Sequence, residues 1–200
     1  MAGISAQIIL DSALSERFPD ALATEGQADQ PRWRWYAQQI TLNDGRLCAL
    51  LIEADTGYLL MLPQVAETAG QFGLDVYEEL LISLKSHPDI YEQPHDGVLS
   101  FDPDPDSIVW EQGAVIDLGI QRRLSDVARQ VSSMNLDGVA NLVAELNSKE
   151  IVLSHGSLVP IQAIDERLEH YADLYAQYLS NTSLLKQIWN LWFNKRSWVK

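Results

Sequence analysis

Residues 33–63 give the clearest strand pattern in the chain. The segment Trp33–Leu42 alternates in part between apolar and polar residues, whereas Leu47–Ile52 and Tyr58–Leu62 are continuously apolar. Strands that are apolar at every position are typical of sheets covered on both faces. Asn43-Asp44-Gly45 and Asp55-Thr56-Gly57 separate the segments, and such residues accept the positive φ of tight turns. The pattern predicts a three-stranded antiparallel meander.

The segments before the meander predict one more strand and a short helix. Residues Ile4–Leu10 fit a strand, and Asp11–Phe18 fits a helical turn that Asp11 can cap through its carboxylate. Pro19–Pro31 has little periodicity and predicts a loop.

Helical periodicity follows the meander. Pro63 ends the apolar run and is predicted to open a helix, because proline suits the first helical position. Apolar residues then recur at helical spacing and predict a helix near Leu74–Ser86. Residues His87–Ser107 contain four prolines and predict a loop that includes a short strand at Val98–Phe101.

The last third of the chain carries four apolar stripes at helical spacing. They are Ile120, Leu124, Val127, Ala128 and Val131; Leu136, Val139, Ala140, Val143 and Leu146; Ile164, Leu168, Tyr171, Tyr175, Tyr178 and Leu179; and Leu184, Leu185, Ile188, Leu191 and Trp192. We therefore predict an α+β fold with a small antiparallel meander sheet covered by helices and a helical C-terminal part. The predicted division is an α+β domain over residues 1–118 and a helical part over residues 119–200, packed on the same core.

Charge is concentrated in the middle of the chain. Between Leu47 and Gln121 there are 14 acidic residues and one basic residue, Lys85, in a chain of net charge −14. A field of one sign repels nucleic acid and attracts cations or basic partners. The charge makes nucleic acid an improbable partner and favours a protein partner or self-association.

The composition and the N-terminal sequence indicate the cellular compartment. Cys48 is the single cysteine, which excludes an internal disulfide framework and fits a reducing compartment. The N-terminus has no signal-peptide pattern, and no apolar run approaches the length of a membrane span. We expect a cytoplasmic protein in which Cys48 has a packing role.

The loop over residues 87–106 holds the candidate residues for a metal site. Asp102, Asp104 and Asp106 alternate as in some Ca²⁺ loops, and His87 and His95 precede them. The run lacks the glycine and the final glutamate of an EF-hand, so a solvated acidic turn is the alternative. Ser154-His155-Gly156-Ser157 lacks a nucleophile elbow and predicts a turn between helices. No catalytic or cofactor motif is found, and no cofactor is predicted.

Tryptophans form two candidate interaction surfaces. Trp33 and Trp35 share one strand face, where they either close the sheet or, if exposed, offer a stacking platform. The tail Lys186–Lys200 has four basic residues, no acidic residue, and Trp189, Trp192 and Trp198. It is predicted to pack on the core as a terminal helix, to dock on acidic surface, or to bind lipid or nucleic acid.

A resemblance rests on the meander. Trp35-Tyr36-Ala37, Ala54-Asp55-Thr56-Gly57 and Leu60-Met61-Leu62-Pro63 resemble an uncharacterised bacterial family of unknown function. The short strand and helix at Ala6–Leu14 and the segment Arg122–Ala128 are similar to that family too, so the likeness covers about residues 4–147. The resemblance implies a fold and a cytoplasmic setting, but no activity, cofactor or site residue.

Three functions are consistent with the sequence. The first is a non-enzymatic interaction protein with an acidic central surface. The second is a metal-dependent enzyme or binder that uses the loop over residues 87–106. The third is nucleic-acid or membrane-surface binding through the basic tail. The first is preferred because it requires no active site.

Overall fold

The computed structural model describes residues 6–22, 33–85, 108–113 and 117–169, and shows an α+β fold. The elements in chain order are β1 (Ala6–Leu10), α1 (Ser12–Arg17), α2 (Pro19–Leu22), β2 (Trp33–Thr41), β3 (Leu47–Glu53), β4 (Leu59–Leu62), α3 (Ala69–Lys85), β5 (Ile108–Gln112), α4 (Leu118–Val131), α5 (Leu136–Asn147), β6 (Ile151–Leu153), β7 (Gly156–Leu158) and α6 (residues 160–169).

The main sheet has five strands in the order β4-β3-β2-β1-β5. Strands β2, β3 and β4 pair antiparallel in succession, whereas β1 is parallel to both β2 and β5. The sheet as a whole is therefore mixed, and an antiparallel meander describes only part of it. The connection from β1 to β2 contains α1 and α2, and parallel neighbours require a long crossover of this kind.

Helices cover both faces of this sheet. On one face, α1, α3 and α6 pack over Ile8, Leu10, Trp35, Leu51, Leu60 and their neighbours. On the other face, α4 and α5 pack over Ile9, Tyr36, Leu50, Ile52, Leu59 and their neighbours. Consecutive strand residues belong to opposite clusters because side chains alternate along a strand. The prediction that the continuously apolar strands are covered on both faces is confirmed.

Local signals near the N-terminus and in the turns are also confirmed. The Asp11 carboxylate accepts a hydrogen bond from the Leu14 amide at 2.9 Å and caps α1. Its second oxygen accepts from the Gln39 amide at 3.0 Å and ties the cap to β2. Gly45 and Gly57 have φ of +82° and +65°, as the two tight turns require.

Several predicted boundaries are corrected. Pro63 ends β4 but does not open a helix; α3 begins at Ala69 because the Thr68 hydroxyl caps it, accepting from the Gln71 amide at 3.2 Å. Residues Pro19–Leu22 form a helical turn within a segment predicted as loop. The strand predicted at Val98–Phe101 lies outside the described residues.

The last third is less helical than predicted. Residues 151–158 form the β6–β7 hairpin, so Ser154 and His155 occupy a hairpin turn and not a turn between helices. All five residues of the Ile120–Val131 stripe are buried. In the next stripe Val139 and Val143 are buried, whereas Ala140 is exposed. Tyr171 and the residues after it lie outside the described part.

The described helices include none that combines the length and apolar character of a membrane span.

The turn at Gly57 provides a test of the fold. Alanine at Gly45 or Gly57 has to adopt the left-handed conformation, at a cost of about 1–2 kcal/mol. A Cβ at Gly57 would also lie 2.5 Å from Ile151 Cδ1, whereas none of the described atoms lies within 4 Å of a Cβ at Gly45. We expect Gly57→Ala to lower the free energy of unfolding more than Gly45→Ala in urea denaturation. Equal losses would show that the β6–β7 hairpin does not pack tightly on this turn.

Candidate functional site

A cleft of about 640 Å³ lies between α3 and the loop that follows β4. We call it the acidic cleft, because Glu67, Asp75, Glu78 and Glu79 line it. The other described lining residues are uncharged: Leu62, Pro63, Gln64, Ala66, Thr68, Gln71 and Ile82. Its walls thus combine four carboxylates with apolar surface, and no lysine or arginine is among these residues.

The amphipathic pattern of α3 places the acids on this side. Phe72, Val76, Leu80 and Leu84 recur every four residues and are buried in the core. Asp75, Glu78, Glu79 and Ile82 recur at the intervals of three and four that define the other face of a helix. Ile82, on the same face, is 60% exposed. The cleft therefore offers an apolar contact as well as charge.

The carboxylates differ in their surroundings. Partial burial raises the pKa of Glu79, because removal from water disfavours its charged form. The Gln71 side-chain amide donates to Asp75 at 2.7 Å, which positions that carboxylate at the rim. Burial raises the pKa of Tyr58 to about 12, with a smaller contribution from the charge of Glu79, and the Tyr58 hydroxyl lies 2.6 Å from the Ser83 hydroxyl. Tyr58 is thus a neutral, buried hydrogen-bonding group near one acid of the cleft.

A second polar cluster surrounds Glu53, which is fully buried at the end of β3. One carboxylate oxygen accepts from the amides of Asp55 and Thr56 at 3.0 and 2.8 Å and from the Thr56 hydroxyl at 2.9 Å. The other oxygen lies 3.5 Å from the Arg167 guanidinium, which also contacts Asp55 at 2.5 Å. Arg167 lies over the Trp33 ring at 5.0 Å. The cluster therefore holds the Asp-Thr-Gly turn and anchors α6 to the sheet.

The electrostatics of Glu53 follow from its burial. Desolvation raises its pKa, and the nearby Arg167 charge and the turn amides only partly oppose this effect. With no exposed surface and with its oxygens directed at the turn and at Arg167, Glu53 has no access to a substrate. We assign it a structural role.

Asn147 blocks the outer edge of the sheet. Its side-chain oxygen accepts from the Leu59 amide at 2.8 Å, and its side-chain nitrogen donates to the Leu59 carbonyl at 2.9 Å. Strand β4 is the edge strand, so Asn147 takes the place of a neighbouring strand at this residue. The sequence pattern does not predict this contact with the edge strand, because an asparagine at a helix end usually serves as a cap.

Arg123 joins three elements without an acidic partner among the described residues. Its guanidinium donates to the Gly57 carbonyl at 3.2 Å and to the Leu146 carbonyl at 2.9 Å. Burial lowers its pKa to about 10, because desolvation disfavours the charged form. Arg123 therefore links α4 to the β3–β4 turn and to the C-terminal end of α5.

The structure corrects the interaction role considered for Trp33 and Trp35. They are 2% and 3% exposed, with ring centroids 6.4 Å apart, and both belong to the core under α6. They close one face of the sheet, which is the other of the two roles predicted for them from the sequence. Buried rings of this kind offer no face to a partner.

The other predicted site residues divide into two groups. Cys48 is buried, its thiol donates to the Pro63 carbonyl at 3.3 Å, and burial raises its pKa, all consistent with packing. The metal candidates His87, His95, Asp102, Asp104 and Asp106 and the tail residues Trp189, Trp192 and Trp198 lie outside the described residues. Within the described ranges, no group of three or more histidine, cysteine, aspartate or glutamate side chains is arranged to hold a metal ion.

Comparison with known proteins identifies no relative of this chain. No family model matches the chain, and neither the curated proteins nor the solved structures contain a match. The resemblance to an uncharacterised bacterial family stays a prediction, and the site must be interpreted from its own geometry.

The Asn147 link can be tested by truncation. Asn147→Ala leaves the Leu59 amide and carbonyl without partners in a buried setting, where each unpaired group costs about 1–3 kcal/mol. We expect a loss of roughly 2–4 kcal/mol in the free energy of unfolding, since water can enter the space and offset part of the cost. Asn141→Ala, at an exposed position of the same helix, is the matched control. Equal effects of the two variants in urea denaturation would refute the edge-blocking role.

The Glu53 carboxylate predicts a pH dependence. Its pKa is raised on folding above the ordinary value of 4.5, so the folded state binds this proton more tightly than the unfolded state does. The Glu53 contribution to stability is therefore most favourable below pH 4.5 and declines as the pH rises from there through the folded pKa. The quantity to measure is the free energy of unfolding of the natural chain minus that of Glu53→Gln, each from urea denaturation. We expect this difference to fall as the pH rises through this window. A constant difference would show that Arg167 and the turn amides balance desolvation, and a rising difference would show that they outweigh it.

Proposed function

We propose that this protein is a non-enzymatic interaction protein whose acidic cleft binds a cationic segment of a partner protein or of a second copy. The observation that carries the proposal is the grouping of four carboxylates around an exposed isoleucine, with no basic residue among the described lining of the cleft. The cytoplasmic setting expected from the sequence belongs to this proposal.

The mixed walls of the cleft suit lysine and arginine side chains. These residues carry long aliphatic stems that lie along apolar surface while the charged head reaches a polar group. Ile82 and Ala66 can contact the stems, and the carboxylates of Glu67 and Glu78 can meet the heads. A volume of about 640 Å³ is within the range of ligand-binding pockets and accommodates a few side chains.

The state of Glu79 also supports a cationic ligand. A carboxylate that has lost part of its hydration is stabilised in its charged form by a nearby positive charge. A lysine or arginine in the cleft would therefore reverse the effect of burial on the pKa of Glu79. Binding should then release protons at a pH close to that pKa.

The binding test compares two variants that lose the same charge. One carries Glu67→Gln, Asp75→Asn and Glu78→Gln in the cleft, and the other carries Glu150→Gln, Glu166→Gln and Glu169→Gln at exposed positions elsewhere. The probe is a short fluorescein-labelled lysine-rich peptide with a central leucine, followed by fluorescence anisotropy. Exposed ion pairs contribute about 0.2–1 kcal/mol each, so the cleft variant should bind about threefold to a hundredfold more weakly. The control should retain most of the affinity.

Two results would contradict the proposal. One is an equal loss of affinity in both variants, which would mean that the peptide senses only the net charge. The other is an affinity that does not fall as salt is raised, because exposed charge pairs are screened at high ionic strength.

A further inference from the structure

A second cleft, of about 580 Å³, lies beside the acidic cleft and shares Pro63 and Gln64 with it. Its described lining residues are Arg17, Arg46, Leu47, Pro63, Gln64 and Val65. It holds two guanidinium groups and, among these residues, no carboxylate. We call it the arginine cleft. Pro63 and Gln64 thus form the boundary between two clefts of opposite charge.

Arg17 is held in place by the loop that separates the clefts. Its Nε donates to the Ala66 carbonyl at 2.8 Å, and its Nη2 donates to the Val65 carbonyl at 3.2 Å. These bonds fix the plane of the guanidinium and leave the Nη1 donors without a partner among the described residues. A guanidinium fixed in this way loses little conformational freedom when it binds an oxyanion.

Arg46 is held from the other side by the β2–β3 turn. Its Nη2 lies 3.4 Å from an Asp44 carboxylate oxygen, and the other oxygen of Asp44 accepts from the Arg46 backbone amide at 3.0 Å. Asp44 lies beside the Arg46 guanidinium, and because the pair is exposed the other N–H groups of that guanidinium stay accessible to solvent. Guanidinium groups bind carboxylates through paired hydrogen bonds that are stronger than neutral ones.

We infer that the arginine cleft binds a carboxylate side chain of the same segment whose cationic residues occupy the acidic cleft. This inference rests on the proposed function and names its partner: an extended peptide with lysine or arginine on one side of Pro63-Gln64 and aspartate or glutamate on the other. Charge complementarity selects this occupant. A wholly cationic segment would bring positive charge to Arg17 and Arg46, and a wholly anionic one would bring negative charge to four carboxylates.

The test adds one residue type to the lysine-rich peptide. Five labelled peptides are compared: the lysine block alone, the block followed by glutamates, the block followed by glutamines, and the last two in reverse order. In one of the two orders the glutamate peptide should bind the natural chain at least about threefold more tightly than its glutamine counterpart, the gain that a charge-assisted bond supplies.

Arg46→Gln should reduce that advantage, because Arg17 is then the one arginine left among the described residues of the cleft. It should not weaken binding of the lysine block alone. The matched control is Arg129→Gln, because Arg129 is also exposed and also lies 3.4 Å from an aspartate, Asp126, but on α4. The control should keep the glutamate advantage. Urea denaturation of both variants verifies that each is folded.

The outcomes separate this inference from the proposed function. If the lysine block does not bind, both are wrong. If the block binds, but glutamate adds nothing in either order, the acidic cleft stands and the arginine cleft has no role in binding. The same conclusion follows if Arg46→Gln leaves the glutamate advantage unchanged.

Discussion

Strand β3 is buried on both faces, and the layers of the structure follow from this constraint. From Cys48 to Glu53 every residue of the strand is buried, and the adjacent β4 is buried throughout. A strand of this kind is stable in water only when apolar layers cover both of its sides. The helices α1, α3 and α6 supply one layer, and α4 and α5 supply the other.

A sheet buried in this way leaves few polar groups inside, and those few connect the layers. Glu53 holds the β3–β4 turn and, through Arg167, fixes α6 on one face. Arg123 reaches the same turn from α4 on the other face, at the Gly57 carbonyl. Asn147 fixes the end of α5 against β4. Because a buried polar group without a partner is costly, these bonds determine how each helix sits relative to the sheet, whereas apolar contacts alone tolerate sliding.

Features decided by local periodicity were predictable from the sequence, and features decided by distant partners were not. The β2–β4 meander, the Asp11 cap and the buried stripe of α4 depend on residues close together in the chain. The strands β5 and β6 contain strand-forming residues, Ile108-Val109-Trp110 and Ile151-Val152, but runs this short show no period that separates a strand from a helix. The candidate site shows the same division. The sequence located the acidic excess, but only the fold shows which four of those acids share a cleft.

The loop between β4 and α3 gives these charges a fixed arrangement. Its carbonyl groups accept from Arg17 at Val65 and Ala66 and from the Cys48 thiol at Pro63, so both ends of the boundary between the clefts are tied to the core. The buried stripe of α3 places the acids of that helix on one side of this boundary. Arg46 lies on the other side, where its guanidinium pairs with Asp44 at the surface. Net charge alone would attract any basic protein, and salt would screen that attraction. In the proposed mode of binding, opposite charges on the two sides of Pro63-Gln64 would discriminate among basic partners, because only a segment with the matching order of charges would satisfy both clefts.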